Sequence, residues 1–272
     1  MAGVSDEELY RKYETVNVFR RGTGAKLVLN RPERMNAWNA QFAADLLAAI
    51  SAAAADPEVR ALAVTGAGRA FSSGADLKDP DRDEGGRLDP YRRLTEQYHP
   101  IITALRAMPK PALAVVNGPA AGIGLSLALA CDLVVAKESA YFLLAFVNIG
   151  LVPDGGSSLF VPSRVGFTRA AEMAMLGERV DARTALDWGL INRVWPDDEF
   201  VAQADALLDR LASGATRSYA GTKRQLNRWL YEQMPAQLEF EAGIQRETAD
   251  SGDFAEGIAA FIEKRPPRFT GA

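Results

Sequence analysis

The sequence has 272 residues, a formal net charge of −4, and 48% hydrophobic and 24% charged side chains. That is enough for one large domain, or one domain with an appended helical part, around a buried core. The acidic balance argues against nucleic acid as the main partner, and a single cysteine (Cys131) and a single histidine (His99) exclude an intramolecular disulfide and a Cys/His metal cluster.

Residues 1–12 are polar and acidic with no apolar signal core, and no window approaches the roughly 20 apolar residues of a membrane span. A soluble, cytoplasmic chain without a membrane partner is expected. Residues 16–20 and 25–30 are β-prone runs parted by Gly22 and Gly24, which predicts a hairpin. Past Arg31-Pro32, Asn36 or Asn39 can cap a helix to about Ala55, with apolar residues recurring at Phe42, Leu46, Leu47 and Ile50. Residues 61–65 form a buried strand closed by Gly66-Ala67-Gly68, and 78–90, dense in Asp, Arg and Gly, is a surface loop. A helix over 91–107, a strand over 112–117, a tight turn at 118–124, a helix through Cys131 and a strand over 132–136 follow. The recurrence of strand, turn and helix predicts an α/β fold. From Ser157 the pattern is nearly all helical, with segments at 169–176, 181–188, 197–212, 222–232 and 254–264. These helices carry more apolar positions than a monomer surface needs, so copies of the chain are expected to associate.

Two small-residue turns stand at strand ends: Phe71-Ser72-Ser73-Gly74-Ala75-Asp76-Leu77-Lys78 and Asn117-Gly118-Pro119-Ala120-Ala121-Gly122-Ile123-Gly124. Small residues there let a ligand approach backbone N–H groups, and a helix start adds positive potential. Facing one another, two such turns can hold one carbonyl oxygen as it gains negative charge.

With Asn30-Arg31-Pro32-Glu33-Arg34-Met35-Asn36-Ala37, Gly150-Leu151-Val152-Pro153-Asp154-Gly155-Gly156 and Phe261-Ile262-Glu263-Lys264-Arg265, these turns resemble the crotonase (enoyl-CoA hydratase/isomerase) superfamily along nearly the whole chain. The resemblance implies a repeated ββα superhelix over 1–200 and a C-terminal helical trimerisation subdomain over 201–272. It implies a homotrimer or dimer of trimers acting on an acyl-CoA thioester, with coenzyme A carried by the substrate and no other cofactor or metal. By the same resemblance, Ala75 and Ile123 supply the oxyanion-hole N–H groups. Ile123 stands where the family often has glycine, so its side chain must turn away or narrow the acyl pocket. Met35, Ala37, Asp76, Leu77, Lys78 and Gly122 fall on substrate-contacting segments, and Phe261 and Lys264 approach the coenzyme. Lys78 and Lys264 also read as solvated surface charges.

Hydratases of this family use a glutamate in the helix after the second turn and another after the following strand. Ser126 and Phe146 stand at those positions here, and neither can move a proton. Asp154 remains, either as a base in apolar surroundings that raise its pKa or as a cap for the helix near Ser157. Phenylacetyl-CoA-pathway isomerases are similar through this loop, and their catalytic aspartate matches Asp154. The 4-chlorobenzoyl-CoA dehalogenases of the superfamily pair an aspartate with a histidine, which would enlist His99; a packed helix residue is its other reading. An isomerase is therefore expected, with an Asp154/His99 hydrolase or dehalogenase, a weak hydratase, or a non-catalytic acyl-CoA- or RNA-binding chain as alternatives.

Overall fold

A computed structural model of the chain describes residues 7–78 and 89–272. The loop expected at 78–90 therefore lies, from 79 to 88, outside the described residues.

The hairpin is β2 (Val16–Arg21) and β3 (Gly24–Leu29), paired antiparallel. A strand not expected from the sequence, β1 (Glu8–Lys12), adds to its outer edge. Beyond β3 the sheet turns parallel through β4 (Ala61–Gly66), β5 (Ala112–Val116), β7 (Leu133–Lys137) and β10 (Arg193–Trp195), in the order β1-β2-β3-β4-β5-β7-β10. A small second sheet joins β6 (Ala120–Ala121), β8 (Tyr141–Leu143) and β9 (Val180–Asp181).

The parallel strands are buried on both faces, so β5 reads as an unbroken apolar run. Alternate residues serve different layers. Leu62, Val64, Ala112, Ala114 and Val134 face the main core with α1 (Ala40–Ala55), α3 (His99–Ala107) and α4 (Ile123–Ala130). Ala61, Ala63, Leu113, Val115 and Val135 face α7 (Phe200–Ser213), whose Phe200, Leu207, Leu208 and Leu211 cover them. α7, which starts at residue 200, thus closes the second face of the sheet.

Asn39 caps α1, its Oδ1 accepting the Phe42 N–H at 3.0 Å. α2 (Pro90–Arg93) runs through a π-helical turn (Leu94–Tyr98) into α3. In the C-terminal third, α5 (Ser157–Leu176) breaks at Gly166 and is followed by α6 (Ala182–Asp187), α7, α8 (Thr216–Leu230), α9 (Met234–Ala249) and α10 (Gly252–Glu263). The nearly all-helical pattern expected from Ser157 is interrupted only by the short strands β9 and β10 among the described residues, and α9 is an added helix. Its buried stripe, Met234, Leu238, Glu241, Ala242 and Gln245, has helical spacing but includes two polar residues, so apolar periodicity does not reveal it. Among the described residues no helix is long and apolar enough to cross a membrane.

Candidate active site

The two small-residue turns are strapped together by backbone. Phe71 and Ser72 N–H both donate to Pro119 O at 3.1 Å, and Ala121 N–H donates to Ser72 O at 2.9 Å. Gly74 permits the approach: its φ is +95°, and a Cβ there would lie 3.0 Å from Ala121 O. On its other side the first turn pairs with Trp38, which donates to Gly74 O at 2.8 Å and accepts from Asp76 N–H at 2.9 Å.

Ala75 N–H, between those two bonds, donates to none of the described residues. The same holds for Ile123 N–H at the first position of α4, where helical amides lack an intrahelical acceptor. Asn36, the other candidate cap for α1, is fully buried and has a different task. Its Oδ1 accepts Arg31 N–H at 2.9 Å, and its Nδ2 donates to Ala67 O at 3.0 Å and Ala70 O at 2.8 Å. It thereby ties the 31–37 segment to the first turn, while Arg31 reaches the buried Asp76 carboxylate at 3.1 Å.

A cavity of about 570 Å³ opens over these turns. Met35, Ala37, Ala75, Asp76, Leu77, Lys78, Gly122, Ile123, Phe146, Asp154 and Phe261 all line it. His99, Ser126 and Lys264 are not on the wall formed by the described residues. Lys264 ends α10 in the left-handed conformation (φ 57°), exposed, and the adjacent Arg265 takes the wall position while paired to Glu256. The Ile123 side chain turns toward the Asp154 loop: its Cδ1 lies 2.3 Å from where a Cβ on Gly155 (φ +60°) would stand.

Asp154 is only 7% exposed. Its backbone carbonyl accepts from Ser126 Oγ and Ser157 Oγ, each at 2.8 Å. Its Oδ2 accepts from Gln245 Nε2 at 2.9 Å, and the same amide reaches Val152 O at 2.8 Å. Oδ1 is buried with no partner among the described residues. The side chain does not cap α5. That helix begins after Gly156, and Glu241 accepts from Gly156 N–H at 2.8 Å and Ser158 N–H at 3.1 Å.

Burial pushes the Asp154 carboxyl up to about 8, with the neighbouring Glu241 charge adding to the rise and Arg93 and the Gln245 hydrogen bond restraining it. Burial lifts Glu241 to about 7 against its hydrogen bonds from Ser158 and Gly156. His99 is driven down to about 4 by burial, which Glu239 opposes, so its ring is neutral at pH 7. Cys131 is fully buried with its thiol pushed up to about 12, in keeping with a small core residue. Among the described residues no group of three side chains is placed to hold a metal ion.

Sequence reasoning missed Glu241, Gln245, Arg93 and Tyr98. The first two sit on the unexpected α9. The last two, on the cavity wall, share a face of their helix because of the π turn between them.

A model of the enoyl-CoA hydratase/isomerase family matches residues 21–272. A probable enoyl-CoA hydratase of Rhodobacter capsulatus is 45% identical over 91% of this chain and 94% of its own. The 1,2-epoxyphenylacetyl-CoA isomerase of Escherichia coli K12 is 38% identical over 90% of this chain and 94% of its own. A crystal structure of an enoyl-CoA hydratase from Mycobacterium avium subsp. paratuberculosis superposes with a TM-score of 0.87 at 39% identity, covering 95% of this chain and all (100%) of that one.

Proposed function

The chain belongs to the enoyl-CoA hydratase/isomerase family, and from that premise we propose that it is an acyl-CoA isomerase working through an enolate, with Asp154 as acid and base. The thioester oxygen is held by the Ala75 and Ile123 N–H groups, which strengthen their grip as negative charge develops. Ionised Asp154 takes a proton from one carbon and returns it at another, shifting a double bond or opening a strained ring. The observation that carries this reading is Asp154 Oδ1, a buried oxygen of a wall residue with no partner among the described residues. A carboxyl poised near 8 exchanges a proton with carbon more readily than one near 4, and its neutral form suits the apolar wall beside Phe146 and Leu151.

The two-glutamate hydration route lacks its acids. Phe146 is on the wall, and Ser126 is spent on holding Asp154 O. The Asp154/His99 nucleophilic alternative lacks its base on the wall. Met35, Ala37, Asp76, Leu77, Lys78 and Phe261 flank the coenzyme A portion, joined by Arg265; Lys264 stays a second-line contact. Gly122 and Phe146 border the acyl portion. The electron pair remains within the substrate throughout, so this chemistry calls on no further cofactor. Copies of the chain associate, as a trimer or dimer of trimers, through helices exposing Trp229 (84%) and Phe167 (81%).

The test is proton exchange followed by NMR in deuterated water, with 3-enoyl- and 2-enoyl-CoA substrates. Double-bond migration with deuterium incorporation, lost in Asp154→Asn, is expected. Water addition without migration would return the chain to the hydratases. No exchange from either substrate would leave a binding or nucleophilic role.

A further inference from the structure

Arg93 lines the same cavity as Asp154, yet its guanidinium has no hydrogen bond or ion pair with any described residue. Its Nε is buried without an acceptor among the described residues, and its Cζ lies over the face of Tyr98, 5.8 Å from the ring centroid. That stacking is a product of the π-helical turn. Residues five apart on an α-helix point about 140° away from each other, whereas the wider turn over Leu94–Tyr98 brings Arg93 and Tyr98 to one face, toward the cavity. Tyr98 is in turn braced edge-on against Trp38, 5.1 Å between centroids. A planar five-donor fork, held on an aromatic ring and lacking an acceptor, is matched by the two oxygens of a carboxylate. A buried donor without a partner is costly to the free protein, and a ligand that supplies one recovers that cost.

We propose that Arg93 is a specificity subsite for acyl-CoA thioesters whose acyl chain ends in a carboxylate. The proposal rests on the acyl-CoA reading of the cavity but not on the isomerase step. Arg93 belongs to the acyl side, because its charge reaches Asp154 and favours that carboxyl's ionised form. Arg69, by contrast, lies against Met35, on the segment assigned to the coenzyme.

The test is isothermal titration with two saturated, unreactive thioesters of equal chain length, hexanoyl-CoA and adipoyl-CoA, at pH 6.5, where Asp154 is neutral. Wild type is expected to favour adipoyl-CoA by about tenfold or more. In Arg93→Met that ratio should collapse toward one, and in Arg93→Lys, which keeps the charge without the fork, it should fall in between. Equal binding of the two ligands by wild type overturns the proposal. So does a ratio that survives in Arg93→Met, including an equal weakening of both ligands, which would assign Arg93 to Asp154 instead. Should Arg93→Met fail to fold, the wild-type ratio and its reduction in Arg93→Lys decide the matter. Neither ligand reacts, so a preserved ratio alongside absent proton exchange would sink the isomerase reading and leave the subsite standing.

Discussion

Two of the charged clusters among the described residues, around Asp132 and around Asp154, are built on opposite principles. Around Asp132, every carboxylate oxygen is answered: Oδ1 by Arg106 at 3.2 Å, Oδ2 by Lys223 at 2.9 Å and by Ala112 N–H at 2.8 Å. Around Asp154, a carboxyl sits beside a second one, Glu241, and leaves Oδ1 without a partner among the described residues. The first arrangement repays the desolvation of its charges and pins α3 and α8 to the sheet. The second leaves a group in its uncharged form at neutral pH, unfavourable for folding yet useful for moving a proton. A buried charge that is fully paired marks architecture; one left underpaired on a cavity wall marks chemistry.

The sharpest way to break this contrast is to neutralise each aspartate in turn. Asp154→Asn should lower turnover by about 10²- to 10⁴-fold with acyl-CoA binding retained, read by NMR turnover and calorimetry. Lost binding with the activity would make Asp154 architectural after all. Asp132→Ala should leave Arg106 and Lys223 buried without their counter-charge and cost about 3–5 kcal/mol in denaturant unfolding. A change below about 1 kcal/mol would show that the cluster is not a brace.

The pH dependence of stability separates the two further. Asp154 is raised from 3.8 to about 8 in the folded chain. Below 3.8 it is protonated folded and unfolded and costs nothing. As pH rises toward 8 the unfolded chain releases the proton while the folded chain keeps it, so stability falls, and above 8 the full cost is present. Asp154→Asn should therefore be more stable than wild type by a few kcal/mol at pH 8, with the gain fading toward pH 4. Thermal unfolding across that range tests it; a pH-independent difference would contradict the buried carboxyl. The smallest effect is expected from Glu241→Gln, whose amide oxygen can still accept from Gly156 or Ser158. Removing the neighbouring charge should move the rising limb of the pH–rate profile, expected near 8 in wild type, down by about one unit. An unmoved limb would mean that burial alone sets it.

What was legible in the sequence followed from where the information lies. The two small-residue turns are local: glycines and strand ends within a few residues announce them, and the family resemblance points within them to Ala75 and Ile123. Likewise Asn39 announces α1 by a cap three residues long. The environment of Asp154 is not local, because it comes from α9, about ninety residues away, through Glu241 and Gln245 on a stripe that apolar spacing does not reveal. The place of His99, off the cavity wall, was hidden for a different reason. Its direction depends on the phase of its helix, and a π turn shifts that phase without any sequence signal. β1 was passed over because its five residues, Glu-Leu-Tyr-Arg-Lys, form a mostly exposed edge strand with no apolar face to betray it.

Ser126, which the family resemblance aligns with a hydratase glutamate, is fully buried and donates to the backbone carbonyl of Asp154. A Cβ on Gly155 would come within 3.0 Å of Ser126 Cβ, so the position has no spare volume. Introducing an acid by Ser126→Glu would thus do two things at once: place a carboxyl where there is no room for it, and release the loop that carries Asp154. Position 126 and the 151–156 loop thus share one small volume, in which a carboxyl at 126 and the present path of the loop exclude each other.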